Sequence, residues 1–483
     1  MKVFPIAKIL GVLLILFSSS MLPPIAVSLL SEDGVASIFV WAFLTVFLIG
    51  LLSWYPARST KHELRFADGF LVVVLFWVVL GVMASIPLIL LETPVISLAD
   101  AVFESLSGLT TTGATVLINI DTLPPSVLYY RQQLQWFGGM GIVVLAVAVM
   151  PMLGIGGMQL YRAETPGPVK DNKLTPRITE TAKALWYIYL GLTVCCAIGY
   201  YLAGMTPFDA LSHAFSTVAI GGFSTHDASL GYFQSTEINL VATVFMILAG
   251  INFGLHFAAL RSRRVAIYLH DPEARTYLLL IGAVSLVTIA TLWVFNQFDT
   301  IHDTAIHGLT QVVSIITTTG FTTTDFSVWP TFLPIMLILL STAGGCAGST
   351  AGGMKIIRIM LIYKQGVRET KKLVHPNAMI PIKIGRKPVP DNVINSVWGF
   401  VALYIVSYII LLIMLLATGL DPVSAFSAIT ACLNNLGPGL GEVAANYASI
   451  GDVAKGILAF AMLLGRLELF TLLVLFSRTF WKG

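Results

Sequence analysis

Long apolar runs alternate with short polar segments along almost the whole of this 483-residue chain. A helix that crosses a bilayer needs about 20 mostly apolar residues, and ten of the runs reach that length. The first run is too long for the apolar part of a signal peptide, so we interpret it as a retained span that is broken near Pro23 and Pro24. The pattern predicts an all-α polytopic membrane protein. Its ten transmembrane helices are expected near residues 5–30, 36–55, 69–91, 131–158, 182–204, 236–260, 277–297, 329–362, 394–418 and 454–480.

Four polar segments between these spans are too short or too polar to cross a bilayer. They lie at residues 98–113, 207–222, 303–320 and 422–437, and each can hold about three helical turns before it ends in a glycine-bearing stretch. Irregular backbone at membrane depth is tolerated only where protein or water satisfies its polar groups. Four re-entrant pore helices with filter segments around one aqueous axis meet that condition, so we expect a pseudo-fourfold pore.

The glycine-bearing stretches have the composition of an ion-selectivity filter. A dehydrated K⁺ needs oxygen atoms that replace its hydration shell, and inward-facing backbone carbonyls supply them. Such a backbone includes positive φ angles, which glycine adopts without penalty, and threonine hydroxyls can add oxygens or brace the loop. One stretch alone would be better explained as a helix contact made by small residues, but four at equivalent positions favour the filter. The candidate K⁺-binding residues are Thr110, Thr111, Thr112, Gly113, Ala219, Ile220, Gly221, Gly222, Thr317, Thr318, Thr319, Gly320, Asn434, Asn435, Leu436 and Gly437.

A repeat of the helix-and-filter unit supports this arrangement. Thirteen residues before the last glycine of each stretch stand Asp100, Asp209, His307 and Ser424, which we expect to be helix N-caps. A helix that runs from there to the filter points its negative end at the pore axis and favours a cation. The chain then divides into two extra transmembrane helices (1–67) and four pore repeats (68–165, 166–265, 266–370 and 371–483), the third of which contains an intramembrane loop.

The sparse charges indicate how the chain is oriented. Charged residues make up only 11% of the sequence, compared with about 25% in soluble domains. Almost all Lys and Arg residues that flank the spans fall on one side of the predicted topology, with only Arg131 and Lys455 on the other, which places both termini in the cytoplasm. The opposite side carries acidic residues that would form a vestibule attracting cations; alternatively, they lie outside only because the basic residues lie inside. These residues are Glu92, Asp100, Glu104, Asp121, Asp209, Asp227, Asp299, Asp303, Asp325, Asp421, Glu442 and Asp452.

The eighth span is interrupted midway by a run of small residues at 341–353. Such a run weakens a helix, so we predict a flexible intramembrane loop that occludes the pore beneath the filter; the alternative is a helix-packing face of small residues. Arg466 lies inside the tenth span, where a charge usually faces the bundle interior or a pore. It would form an electrostatic barrier and pair with carbonyls of the loop or, alternatively, make a buried structural pair with a glutamate or the backbone. The candidate gate residues are Gly344, Gly345, Gly348, Gly352, Gly353 and Arg466.

These motifs resemble those of the potassium-translocating subunits of the Trk/Ktr/HKT superfamily, most closely the bacterial TrkH type, which carries two extra spans before four pore hairpins. The resemblance covers essentially the whole chain and is carried by residues 110–115, 220–224, 317–322 and 435–439. It implies potassium uptake across the bacterial inner membrane, with K⁺ as the transported ion and no organic cofactor. It also implies a gating loop in the third repeat and a positive residue below the filter.

The resemblance bears on selectivity as well. Family members with serine at the first filter glycine tend to favour Na⁺, so Gly113 implies K⁺. The second and fourth stretches lack the Thr-Thr-Gly pattern, which predicts a chemically asymmetric filter with less strict selectivity than a fourfold-symmetric channel.

The resemblance further implies two protein partners, a second copy of the chain in a homodimer and a cytoplasmic RCK-type nucleotide-binding regulatory subunit. The residues alone indicate only that the basic inner loop at 364–391 is a lipid-headgroup contact or a docking surface. The chain has no nucleotide-binding fingerprint of its own, and we expect no nucleic-acid partner.

Two other functions compete with a channel-like pore. An ion-coupled (H⁺ or Na⁺) potassium symporter would work by alternating access, but such folds often use inverted repeats, whereas the four predicted hairpins share one orientation. An intramembrane enzyme would need a nucleophile–base pair or a metal cluster, and the sequence has no HExxH or GxSxG motif and no paired intramembrane carboxylates. We therefore predict a transport protein and not an enzyme, with symport as the alternative mechanism.

Overall fold

A computed structural model describes residues 3–59, 66–141, 178–385 and 387–482. This part of the chain is mostly helical, as predicted, and its one sheet is the antiparallel pair β1 (Lys383–Ile384) and β2 (Lys387–Pro388). The helices are α1 Val3–Ser18, α2 Leu22–Ser31, α3 Ala36–Trp54, α4 Phe66–Ala84, α5 Ile86–Ile89, α6 Leu98–Leu109, α7 Pro125–Trp136, α8 Ile178–Leu202, α9 Pro207–Ala219, α10 Thr236–Ala249, α11 Phe253–Ser262, α12 Ile267–His270, α13 Pro272–Val294, α14 Ile301–Ile316, α15 Leu333–Leu340, α16 Ile356–Val374, α17 Asp391–Leu416, α18 Pro422–Asn434, α19 Asp452–Arg466, α20 Glu468–Leu473 and α21 Arg478–Lys482.

The described helices account for most of the predicted spans. Six are long and apolar enough to cross a membrane, or eight if two bent pairs each count as one span. The chain is therefore a multi-pass membrane protein. The predicted span at 329–362 is instead two helices, α15 and α16, separated by a loop at 341–355. The span at 131–158 lies partly outside the described residues, at 142–158, so the count of ten stays a prediction.

The first two spans pack through glycine contacts. A Cβ atom at Gly11 would lie 2.6 Å from the backbone nitrogen of Trp54, so α1 and α3 approach closely. The predicted break in the first span is a 3₁₀ turn at Ser19–Met21. It comes just before Pro23 and Pro24, which lie in the first turn of α2, where a missing N–H group leaves no hydrogen bond unmade.

The remainder of the described chain repeats one unit four times. A long helix is followed by a short one, the glycine-bearing stretch and a further helix, and we call the short helices α6, α9, α14 and α18 the pore helices. The helix after each stretch contacts the next pore helix: α7 packs on α9, α10 on α14, α15 on α18, and α19 returns to α6. These contacts close the four units into a ring. The predicted residue boundaries of the repeats stay a prediction.

The predicted N-caps of the pore helices are wrong. The observed caps are hydroxyl or carboxylate side chains that accept a hydrogen bond from a backbone N–H of the first helical turn. The predicted residues lie inside the helices: Asp100, Asp209 and Ser424 come three residues after the observed cap, and His307 comes seven residues after it. In the first three repeats the cap is a hydroxyl residue three positions before the first acid of the helix, and in the fourth it is an aspartate. The true caps are Ser97, Thr206, Thr300 and Asp421.

The helices that follow the stretches are all interrupted, although the sequence predicted only the third break. The first helix changes to a π-helical turn at Phe137–Gly141. The second bends by 96° between α10 and α11, and the fourth by 109° after Arg466. The interruptions lie next to glycines, namely Gly138, Gly139, Gly250 and Gly465, and each of these approaches another backbone or a tyrosine hydroxyl.

Candidate functional site

The four glycine-bearing stretches meet edge to edge. In each, the last glycine lies so close to a carbonyl oxygen of the next stretch that a Cβ atom would collide with it, and only glycine leaves this space free. The fourth stretch closes on the first, so the structure brings all sixteen predicted filter residues into one ring, which we call the filter ring. The glycine and carbonyl pairs are Gly113 with Gly221, Gly222 with Thr319, Gly320 with Leu436, and Gly437 with Thr112.

The backbone of each stretch follows the same alternating course. The last glycine has a positive φ, and so does the residue two positions before it. Such angles strain a residue with a side chain by roughly 1–3 kcal/mol and persist only where the surroundings enforce them. The same alternation of positive and negative φ angles therefore occurs in all four stretches. The φ angles are 55° and 79° at Thr111 and Gly113, 57° and 78° at Ile220 and Gly222, 65° and 88° at Thr318 and Gly320, and 57° and 95° at Asn435 and Gly437.

One backbone hydrogen bond recurs in all four stretches. The residue before the last glycine donates its N–H to the carbonyl five residues earlier, in the last turns of the pore helix. This shared bond explains how the second and fourth stretches adopt the fold of the threonine-rich ones in spite of their different sequences. The donor and acceptor pairs are Thr112 and Ser107 (2.9 Å), Gly221 and Ser216 (2.8 Å), Thr319 and Ser314 (2.8 Å), and Leu436 and Ala431 (2.8 Å).

The threonine hydroxyls brace the ring. Oγ1 of Thr110 lies 2.8 Å from Oγ1 of Thr112, and Oγ1 of Thr317 lies 2.7 Å from Oγ1 of Thr319. In the fourth stretch, Asn435 donates through Nδ2 to Oγ1 of Thr112 at 3.0 Å and so ties the last stretch to the first. Of the two roles that the sequence left open for these hydroxyls, bracing is the one that these contacts favour.

Glutamines at the start of the fourth predicted span support the second stretch. Gln135 donates to the carbonyl oxygen of Gly221 at 2.6 Å and accepts from the N–H of Phe223 at 3.1 Å. Gln132 donates to the carbonyl of Phe223 at 3.0 Å. The signal in the sequence that could have found this support was a run of amides at the start of an apolar segment.

A buried ion pair stands behind the first stretch. Nε of Arg131 lies 2.8 Å from Oε1 of Glu104, and each side chain is only 1% exposed. Glu104 also accepts hydrogen bonds from the Thr115 hydroxyl at 3.0 Å and from the N–H of Val116 at 2.9 Å. The prediction that Glu104 faces an outer vestibule is therefore wrong, because its carboxylate is buried and paired with Arg131.

Other predicted vestibule acids are also compensated. Lys455 lies 2.6 Å from Asp100, so the two basic residues that departed from the predicted charge distribution, Arg131 and Lys455, each neutralise an acid. His226 bonds Asp121 and lies 3.5 Å from Asp209. Partial burial alone would lower the pKa of His226, but the hydrogen bonds from its ring to the two carboxylates outweigh burial and raise this pKa. The net negative charge of this surface is thus smaller than the number of acidic residues suggested.

The small-residue loop at 341–355 lies directly against the filter ring. Gly352 donates its N–H to Oγ1 of Thr318 at 2.7 Å, and Gly353 donates to the carbonyl of Asn434 at 3.1 Å. The Thr350 hydroxyl donates to the carbonyl of Val218 at 3.0 Å, at the end of the second pore helix. The loop therefore contacts three of the four repeats at once. The predicted gate glycines all belong to it, namely Gly344, Gly345, Gly348, Gly352 and Gly353.

Arg466 connects the filter ring to this loop. Its Nη1 donates to Oγ1 of Thr111 at 3.1 Å and to the carbonyl of Thr350 at 3.4 Å. Its Nη2 donates to the carbonyls of Gly138 and Gly139, where α7 becomes π-helical. The positive charge predicted below the filter is therefore held between the first stretch, the loop and an interrupted helix.

Sequence reasoning missed Lys355, at the end of the loop. Its ammonium group donates to the carbonyl of Ala351 and is buried. The available signal was a lysine directly after a small-residue run within a predicted span. The neighbouring Arg358 binds Glu468 at 2.7 Å, which links the helix after the loop to α20.

Membrane-length helices around a closed ring of four backbone stretches define a membrane transport protein. Residues 36–482 match the model of a family described as "TrkH: Cation transport protein". The chain therefore belongs to the TrkH family of cation transport proteins.

Named relatives and a solved structure agree with this assignment. The Trk system potassium uptake protein TrkH of Vibrio parahaemolyticus is 55% identical over 480 residues, 99% of each chain, and that of Escherichia coli K12 is 52% identical over 477 residues, again 99% of each. The crystal structure of the potassium transporter TrkH from Vibrio parahaemolyticus superposes with a TM-score of 0.91 at 52% identity and 100% coverage of both chains. These relatives are named as transport proteins, which confirms that the chain is not an enzyme.

Proposed function

We propose that this chain mediates potassium uptake across the bacterial inner membrane, with K⁺ passing through the filter ring by a channel-like route. The observation that carries the proposal is the ring itself, in which four stretches of alternating backbone handedness close on one another. The relatives named above are potassium uptake proteins, which supports K⁺ as the transported substrate. No organic cofactor enters this mechanism.

Backbone carbonyls in the ring would replace the hydration shell of K⁺. The four pore helices end at Leu109, Ala219, Ile316 and Asn434, immediately at the ring. Because the C-terminal end of a helix carries partial negative charge, these helix ends favour a cation over an anion there. The bracing side chains differ between the stretches, so we expect the selectivity among monovalent cations to be less strict than in a symmetric filter.

The loop at 341–355 would act as the gate. It contacts three repeats directly at the ring, and Arg466 adds a positive charge that would repel K⁺ until the loop moves. Ion-coupled symport, the alternative mechanism, is not favoured by any contact in the described residues.

The orientation and the partners complete the proposal. Both termini would lie in the cytoplasm. The exposed basic surface within residues 364–391, where Arg368 pairs with Asp391 at 2.9 Å, would contact lipid headgroups and receive a cytoplasmic RCK-type nucleotide-binding regulatory subunit. Two copies of the chain would form a homodimer with one pore in each.

The test is downhill ion flux into liposomes that contain the purified protein. K⁺ and Rb⁺ should enter faster than Na⁺ and Li⁺ and should need no gradient of a second ion. Deletion of residues 345–353 should raise the K⁺ flux. Strict dependence on a co-ion gradient would support symport and contradict the channel-like route, and a deletion that leaves the flux unchanged would contradict the gate.

A further inference from the structure

Glu273, in the first turn of α13, binds the chain on both sides of the segment 348–356, within and just after the loop at 341–355, which we call the gate loop. Its Oε1 atom accepts a hydrogen bond from the N–H of Ala347 at 2.7 Å and another from the N–H of Ile357 at 3.1 Å. These two N–H groups are ten residues apart in the sequence, and the segment between them contains Gly352 and Gly353, which bond Thr318 and Asn434 of the filter ring. One carboxylate oxygen thus joins the two chain segments at Ala347 and Ile357. We call residues 345–347 and 355–357, where these segments lie side by side, the neck of the loop.

The neck has further contacts that give it a fixed shape. Ile356 donates its N–H to the carbonyl of Gly345 at 3.0 Å, and Cys346 donates to the carbonyl of Gly250 at 2.8 Å. Lys355 has a φ of 75°, an angle that glycine alone adopts without penalty. A strained residue at the exit of the loop needs its neighbours to hold it in place, and Glu273 is one of the groups that do so.

We infer that Glu273 is a positioning residue that latches the gate loop against the filter ring. It acts through the loop and does not touch the ion. This inference rests on the proposed gating role of the loop and deepens it, because it names a side chain outside the loop that keeps the pore closed.

The latch lies within reach of the cytoplasmic hairpin β1–β2. A Cβ atom at Gly385, in the turn of the hairpin, would lie 3.2 Å from Cγ of Pro272, the residue before Glu273. The side chain of Asp271 caps α13 through the N–H groups of Glu273 and Ala274, at 3.0 and 2.9 Å. A displacement of the hairpin would therefore be transmitted to the turn that carries the latch.

Glu273→Ala tests the latch, with Glu273→Gln as the matched variant. The first removes the acceptor, whereas the amide oxygen of the second can still accept both N–H donors. Because Glu273→Ala leaves the N–H groups of Ala347 and Ile357 without their acceptor, we expect it to raise K⁺ flux into liposomes by about tenfold or more. Glu273→Gln should stay near the wild-type rate. Glu237→Ala, which changes a glutamate in the first turn of α10 that bonds the nearby Ser235, should have no effect.

A second readout reports on the loop directly. Cys346 lies in the loop and is 1% exposed, so a cationic thiol reagent should label it faster in Glu273→Ala than in the wild type. Peptide mass spectrometry separates it from the buried Cys196 and Cys432, whose labelling should not change. If Glu273→Ala does not fold, Glu273→Asp gives the same test, since its carboxylate is one methylene shorter.

Three results would overturn the latch. One is an unchanged flux and unchanged Cys346 labelling in folded Glu273→Ala and Glu273→Asp. Another is a flux in Glu273→Gln as high as in Glu273→Ala. The third is a raised flux after deletion of residues 345–353 without any rise in Glu273→Ala, which would leave the loop as the gate but remove Glu273 from it. If neither the deletion nor Glu273→Ala raises the flux, the proposed gate fails as well.

Discussion

Gly113 has no room for a side chain, because the carbonyl oxygen of Gly221 stands where its Cβ atom would be. Its φ of 79° is a second reason for glycine at this position. A side chain at Gly113 must therefore displace a carbonyl of the neighbouring stretch. The absence of a side chain at this single position thus allows the two stretches to lie as close together as they do.

We expect Gly113→Ser to lower the ratio of K⁺ to Na⁺ flux by about tenfold, equivalent to roughly 1.4 kcal/mol of lost discrimination. Flux measurements in liposomes provide the readout. Gly282→Ser is the matched control, since a Cβ atom at Gly282 would meet no atom within 4 Å, and it should leave the ratio unchanged. Equal ratios in Gly113→Ser and the wild type would place the filter elsewhere.

The buried ion pair of Glu104 and Arg131 contributes to the stability of the fold. Both side chains are 1% exposed, so removal of one leaves the charge of the other buried without its partner. Arg131→Ala should destabilise the protein by about 3–5 kcal/mol and lower its unfolding temperature in detergent. The same substitution in a Glu104→Gln background should do less damage, because no buried charge is left behind. Equal losses in the two backgrounds would show that the pair is not coupled.

At the scale of elements, the pore helices show what sequence patterns can and cannot reveal. Their C-terminal ends could be predicted, because each helix stops at the glycine-bearing stretch. Their N-caps could not be identified from the acids alone, since Asp100 and Asp209 come one turn after Ser97 and Thr206. The break after Arg466 was missed because it depends on tertiary contacts and not on a run of small residues.

The loops after the first and second stretches are joined by His226, and this link should depend on pH. The two carboxylates facing its ring are Asp121 and Asp209, Tyr232 stacks on it at 3.5 Å between ring centroids, and His213 lies nearby. Since the pKa of His226 is raised in the folded protein, the link stabilises the fold fully below the ordinary histidine pKa of about 6.5 and is lost as the pH rises through the raised value.

The unfolding temperature in detergent should therefore fall as the pH rises above about 6.5. His226→Gln should reduce this slope, while His375→Gln, at an exposed histidine at the end of α16, should preserve it. A slope that is identical in His226→Gln and the wild type would exclude the link as its source.

At the scale of the whole molecule, the ring joins residues that are far apart in sequence. Asn435 donates to Thr112 across 323 positions. The fourfold repetition of spans and polar segments was enough to predict that the stretches converge, because each repeats the same pattern. It could not predict which side chains bond across the ring, such as Asn435 with Thr112 or Arg466 with Thr111, since those contacts exist only after the units have closed.

The most direct measurement of the central claim is anomalous diffraction from crystals of the protein grown in Rb⁺, which replaces K⁺ with a strong scatterer. Rb⁺ peaks are predicted inside the filter ring, on the axis that the four stretches surround. Rb⁺ bound only at other positions, with no peak in the ring, would contradict the account.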